Sequence, residues 1–285
     1  MKKLFIITCM LFLTISAKSQ ETAATFEGEI AYETFETYSD YLLEMPHSIY
    51  FNGVHKIRMV VKGSKIHITD ETTGCHIVGD SNSKQFVHFC DHTKSGLDYS
   101  ADYESQLVLA SRDITYSNFT SKLNSNTISH TNDTTEILGH KCAVYQGAME
   151  RDMSMIQKYE VKAHVATDIP ISDGYKYGLQ GLELPGMPLK WTYKYDGGHV
   201  GMGVGELSFY IESDITDIKP RQVDDSEFNI PAEYKIKTYN GRNPMGLMNY
   251  YKSIKKGLIK QGIKGGDNSE KSTGVHYKTN DEWDF

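Results

Sequence analysis

The sequence predicts a mainly β fold, an open antiparallel sheet with few short helices. Three observations predict it. Apolar and polar residues alternate with period two in one stretch after another. Short runs of Gly, Ser, Asn and Asp separate those stretches. No alternation of strands with helices is visible, which excludes a doubly wound parallel sheet.

The first strand pattern is TFEGEIAYETFE, where Phe26, Ile30 and Tyr32 share one face against Glu27, Glu29 and Glu33. A hairpin follows, turning at Gly63-Ser64. It sets Val61 opposite Ile66, Met59 opposite Ile68 and Ile57 opposite Asp70. The other face carries Arg58, Lys65, His67 and Thr69, with Val60 the apolar exception, so this face reads as solvated. A second hairpin turns at Ser81-Asn82-Ser83-Lys84 and sets Cys75 opposite Cys90 and Ile77 opposite His88. SQLVLAS adds a short strand. Residues 112–134 are rich in Ser, Thr and Asn and read as loops with at most a weak strand.

Strands resume at KCAVYQG and continue through QKYEVKAHVATDIP, PLKWTYKY and GVGELSFYIES. Their inward positions are Tyr159, Val161, Ala163 and Val165, then Leu189, Trp191, Tyr193 and Tyr195, then Leu207, Phe209 and Ile211. Tyr175 to Leu182 is a short helix or turn. Roughly nine or ten strands with short loops imply a single curved sheet or an open barrel, with one apolar face that something must cover. Beyond EYKIKTY, Leu247, Tyr250, Tyr251, Ile254 and Leu258 recur at helical spacing among Lys252, Lys255, Lys256, Lys260 and Lys264. This basic amphipathic segment reads as a helix packed on the sheet edge. Peripheral contact with an anionic membrane surface is the sharper alternative.

Charge and targeting bound the setting. The 285 residues include 30 basic and 37 acidic side chains, a net charge of −7. Lys2 and Lys3 precede an apolar run from Leu4 to Ile15, and Ala17 and Ser19 stand at the −3 and −1 positions of a cleavage site. That order is a signal peptide over residues 1–19 and predicts a periplasmic or secreted protein. Its removal leaves 27 basic against 37 acidic residues, a net of −10, which argues against a nucleic-acid partner. With one long apolar run, the chain is not a polytopic membrane protein. The organisation expected is a β domain over 22–240, the basic segment over 241–264 and a disordered polar tail over 265–285.

The chemistry is less legible. Cys75 and Cys90 can form a cross-strand disulfide, or remain free buried thiols. His88, Cys90 and His92 alternate along one strand and Cys75 faces them, a zinc-compatible set without the usual tight cysteine knuckle. No metal site and no cofactor is expected on that ground. No G-x-S-x-G, H-E-x-x-H or Walker motif occurs. His140 and Cys142 lie two apart, but spacing supplies no third group to orient them. The expectation is a protein without enzymatic activity.

EILGHKCAVYQG, KAHVATDIP, GLELPGMPLKW and DDSEFNIPAEYKI together resemble a family of Bacteroidota envelope proteins named for a GLPGLI-like motif. LELPGMPL keeps Leu184, Pro185, Gly186 and Pro188 but is not the literal motif, and Ala232-Glu233 replaces a glycine of the closing pattern. The resemblance covers about residues 137–236. It implies an open half-barrel similar to the LolA/LolB carriers, with a concave face that takes a lipid or other apolar ligand. Leu184, Met187, Leu189 and Trp191, in and just after the proline-glycine loop, are the residues expected to border its mouth. The alternative is a cell-envelope structural or protein-interaction module whose sheet is plugged by its own side chains and takes no ligand.

Overall fold

The computed structural model describes residues 25–40, 43, 51–100, 123–126, 128–153, 155–170, 184–199, 206–239 and 244–263. The signal segment, SQLVLAS, Tyr175 to Leu182 and the polar tail lie outside the described residues. The strands in chain order are β1 (Glu27–Tyr38), β2 (Gly53–Lys62), β3 (Lys65–Asp70), β4 (Cys75–Asp80), β5 (Gln85–Cys90), β6 (Ser95–Asp98) and β7 (Leu123–Asn126). They continue with β8 (Ser129–Ile137), β9 (His140–Met153), β10 (Met155–Ala166), β11 (Met187–His199) and β12 (Glu206–Pro220). A 3-10 turn over Asp225–Phe228, strand β13 (Lys235–Thr238) and helix α1 (Pro244–Lys260) complete the set.

All thirteen strands join one sheet, in the order β13-β6-β5-β4-β3-β2-β1-β12-β11-β10-β9-β7, with β8 paired to β9. Every pairing is antiparallel except β13 with β6. The two ends of this order do not pair, so the sheet is open. The β2–β3 and β4–β5 registers match the alternation read from sequence, down to Ile57 opposite Asp70 and Cys75 opposite Cys90. The strand count is higher than expected. β8 forms across SHTNDTTEI, in the stretch read as loop, because β9 supplies its partners from Ile137↔His140 back to Ser129↔Gln146.

One face of the central strands carries the main core, built from Ile30, Ile57, Met59, Ile66, Val161, Val165, Leu189 and their neighbours. Toward β4–β6 the same face is covered by α1, whose Tyr250, Tyr251, Ile254 and Leu258 pack on Phe86, Leu97 and Tyr99. The opposite face was expected to be wet, and here the structure differs. Val60, Val78, Val87 and Phe89 are buried beneath Val223, Phe228 and Tyr234, from the segment that joins β12 to β13. That segment is a strap. A capping box closes its 3-10 turn, Asp224 accepting from the Ser226 amide and Glu227 accepting from the Asp224 amide. Lys62 donates to the Val223 carbonyl at 2.9 Å, Lys65 to Asp225 at 3.0 Å, and His67 to the Glu227 carbonyl at 2.7 Å. Lys65 and His67, read as solvent-facing, are thus fastenings of this strap.

Two glycines are fixed by geometry. Gly186 lies so close to β10 that a Cβ would stand 2.1 Å from the Ala166 carbonyl oxygen. Its role is this close approach. Gly139 has φ 82° and follows Leu138 at φ 50°, which makes the β8–β9 connection a two-residue turn with both residues left-handed. No described helix is long and apolar enough to cross a membrane.

Candidate functional site

The four residues expected at a ligand mouth lie inside the main core. Leu184, Met187, Leu189 and Trp191 are each no more than 3 % exposed. The Tyr32 hydroxyl donates to the Pro188 carbonyl at 3.1 Å and ties this segment down onto β1. A surface cleft of about 610 Å³ opens elsewhere, where Phe26, Leu138, His140, Asp168, Ile169 and Ile218 meet. Its lining is mixed. The His140 imidazole donates to the Asp168 carboxylate at 2.8 Å.

His140 therefore has the orienting carboxylate that spacing alone did not supply. It does not activate Cys142. The Cys142 thiol is buried and donates to the His140 backbone carbonyl at 3.6 Å. Burial, and secondarily the Asp168 charge, hold its pKa above the ordinary thiol value, so the thiolate is disfavoured.

The β4–β5 hairpin gathers a different set. Cys75 and Cys90 are joined in a disulfide, and His88 stands two residues before Cys90 on the same face. Cys75, His88 and Cys90 each offer one donor atom, and these atoms lie within 4.8 Å of one another. All three are buried, at 9, 7 and 0 % exposure. His92 does not join them. β5 ends at Cys90, and the turn to β6 takes His92 out of the alternation and sets its ring beside Gly74. The sequence contains no catalytic motif and reads as non-enzymatic. The Cys75, His88 and Cys90 cluster corrects that reading, because two sulfurs and an imidazole brought together by strand pairing can hold a metal ion, and the chemistry that comes with one, once the S–S bond is reduced.

Two further polar clusters were not read from sequence. On the core face, His55 faces Asp70 at 3.3 Å through Nδ1, and the Phe51 carbonyl at 3.2 Å and Glu36 at 3.7 Å through Nε2. Tyr38 donates to Glu36 at 2.9 Å, and Thr73 donates to Asp70. Both ring nitrogens thus face acceptors. The sign of this cluster was present in the sequence. The parity that turns Ile30 and Tyr32 inward also turns Thr34 and Glu36 inward.

On the strap face, His67 Nε2 meets His76 Nδ1 at 3.2 Å, and His76 Nε2 meets the Asp91 carboxylate at 3.3 Å. The His76 ring stacks on Phe89 with centroids 4.8 Å apart. Tyr234 and Lys94 also donate to Asp91, and Lys94 donates to the Tyr234 hydroxyl. Burial pushes His67 down to about 4, with the neighbouring His76 acting in the same direction and the Glu227 carbonyl against it. Burial raises Asp91, but hydrogen bonds from Tyr234 and His76 carry it below the usual carboxylate value. The network fastens β3, β4 and the β5–β6 turn to the strap.

No family model and no curated protein matches this chain. Among solved structures, one described as "Structure of PNGF-II in P21 space group" matches 78 % of this chain at 11 % identity and a TM-score of 0.39. The chain spans about a third of that structure, 34 % of its length.

Proposed function

We propose that this chain is an exported module of the cell envelope that works by contact with another protein, its sheet filled by its own side chains. The observation that carries the reading is the burial of Leu184, Met187, Leu189 and Trp191, at no more than 3 % exposure, where a lipid would have to lie. The family resemblance of residues 137–236 and the export signal supply the setting. The GLPGLI-type kinship and the LolA/LolB-like half-barrel belong to this proposal, with the carrier cavity replaced by a self-plugged face.

The contact surface that fits is the cleft at the β8–β9 turn. Leu138 at its rim is 53 % exposed and occupies a left-handed position that favours Asn or Gly. An apolar side chain held there costs stability while more than half of it stays exposed. It is suited to meet an apolar side chain of a partner, with the carboxylates Glu27, Asp168 and Asp217 of the same cleft beside it. A partner segment pairing an apolar anchor with a cation matches that chemistry.

The test has two arms. Native mass spectrometry of protein taken from its own envelope fraction is expected to show the bare mass, and titration with a sixteen-carbon fatty acid is expected to show no saturable binding. An acyl chain bound at one equivalent overturns the reading. Leu138→Asn is expected to raise stability by about 0.5–1 kcal/mol in urea denaturation, by relieving the left-handed position. The same variant is expected to lose the cross-linked partner that the wild type captures in the envelope. Unchanged cross-linking places the contact elsewhere and rejects the cleft.

A further inference from the structure

We propose that Cys75 and Cys90, once reduced, join His88 to bind one thiophilic divalent ion of the zinc class, so that the β4–β5 hairpin alternates between a disulfide and a metal site. The site goes beyond the contact role and does not depend on it.

The register supplies the donors. Cys75 and Cys90 are cross-strand partners, and His88 lies two residues from Cys90, so all three project to the face that α1 covers. Zn–S bonds of about 2.3 Å and Zn–N bonds of about 2.0 Å at tetrahedral angles need donor atoms roughly 3.5–4 Å apart. The three donors lie within 4.8 Å of one another; once the S–S bond opens, side-chain rotation lets the two sulfurs move apart and the imidazole close in. Two thiolates balance the charge of a divalent ion, so the loaded set can stay buried without a net charge.

Tyr250 orients the imidazole. The Tyr250 hydroxyl donates to the His88 backbone carbonyl at 3.1 Å. Its one proton is thereby committed, and its oxygen accepts from His88 Nδ1 at 3.0 Å. Nδ1 therefore carries the ring proton and Nε2 the lone pair. This is the outer-shell support that orients a metal-binding histidine. Phe51, Phe86, Leu97, Ile254 and Leu258 surround the set with apolar side chains. Cys90 is its floor, and Cys75 lies at the rim.

The redox step balances by thiol–disulfide exchange with a dithiol. One dithiol thiolate attacks a protein sulfur to form a mixed disulfide, and the second thiolate displaces it. The dithiol leaves as its own disulfide, and two electrons and two protons have passed to Cys75 and Cys90. The ion then displaces the two thiol protons. Three protein ligands leave a fourth position for water or another small donor.

The full chain, reduced with dithiothreitol, desalted without oxygen and titrated with cobalt(II) chloride alone, is expected to develop a thiolate-to-cobalt charge-transfer band that saturates at one equivalent. The oxidised chain is expected to show none. Tyr250→Phe is expected to weaken cobalt affinity 10- to 100-fold, and Cys142→Ser to leave it unchanged. In the wild type, without any variant, bound cobalt is expected to protect two of the three mature-chain thiols from iodoacetamide, read by mass. No charge-transfer band at one equivalent, no thiol protection, or a band unaltered in His88→Ala overturns the proposal.

Discussion

Acidification from pH 7 to pH 5 is expected to cost the folded protein about 2 kcal/mol through His67 alone, and about 3 kcal/mol by pH 3. His67 is pushed from 6.5 to about 4 in the folded chain, by burial first and by the neighbouring His76 and Arg58 charges after it. The unfolded chain therefore binds the proton more readily than the folded one. Stability from this group is complete above pH 6.5, falls between pH 6.5 and 4, and loses nothing more below. The carboxylates held low in the folded state, Asp91 and Glu227 among them, also favour the fold when ionised. Their losses fall below their unfolded values of 3.8 and 4.5, so the interval from pH 6.5 to 5 isolates the histidine contribution. His164, also lowered by burial, adds to the same slope. Urea denaturation of the wild type and of His67→Asn at pH 7 and pH 5 reads the difference. Asn can still donate to the Glu227 carbonyl but does not titrate. An equal pH slope in both proteins would remove His67 from the account.

Reduction of the Cys75–Cys90 disulfide is expected to lower stability by about 3 kcal/mol, the chain-entropy value for a closed loop of this length. The two cysteines lie 15 residues apart, across the β4–β5 hairpin. Denaturation midpoints with and without dithiothreitol, in metal-free buffer, measure the loss. Cys142→Ser is expected to respond to dithiothreitol as the wild type does, since Cys142 is a free thiol. A shift below about 0.5 kcal/mol would mean that residual structure already restricts this loop in the unfolded chain.

The parts of this fold that were readable share one property. Where a short turn joins two strands of clean alternation, one register keeps every apolar side chain on one face, so Met59 must meet Ile68 and Cys75 must meet Cys90. β8 lacks that signal. Its SHTNDTTEI sequence is mostly exposed, and it is a strand only because β9 runs past it. The strap was hidden for a related reason. Val60 alone marked the second face as buried, and the residues that cover it come from about 160 positions further along the chain. Spacing placed Cys75, His88 and Cys90 on one face, and it also admitted His92, because alternation does not announce where β5 stops. The expected ligand residues were found to be inward-facing, as their alternation required. Whether inward means cavity or packed core depends on side chains from six other strands, which no local pattern contains.

The position of β1 at the middle of the sheet has a consequence for how the chain is made. Its one edge is satisfied early, by β2, but the other waits for β12, and Thr34 bonds Ser213 across 179 residues. During synthesis, a half-built sheet must carry a bare row of amide and carbonyl groups until the far strand emerges. Such a chain is slow to reach its final topology and vulnerable to mispairing with other copies in the interval. Folding yield is thus the quantity in which a helper that shields nascent strand edges would be felt.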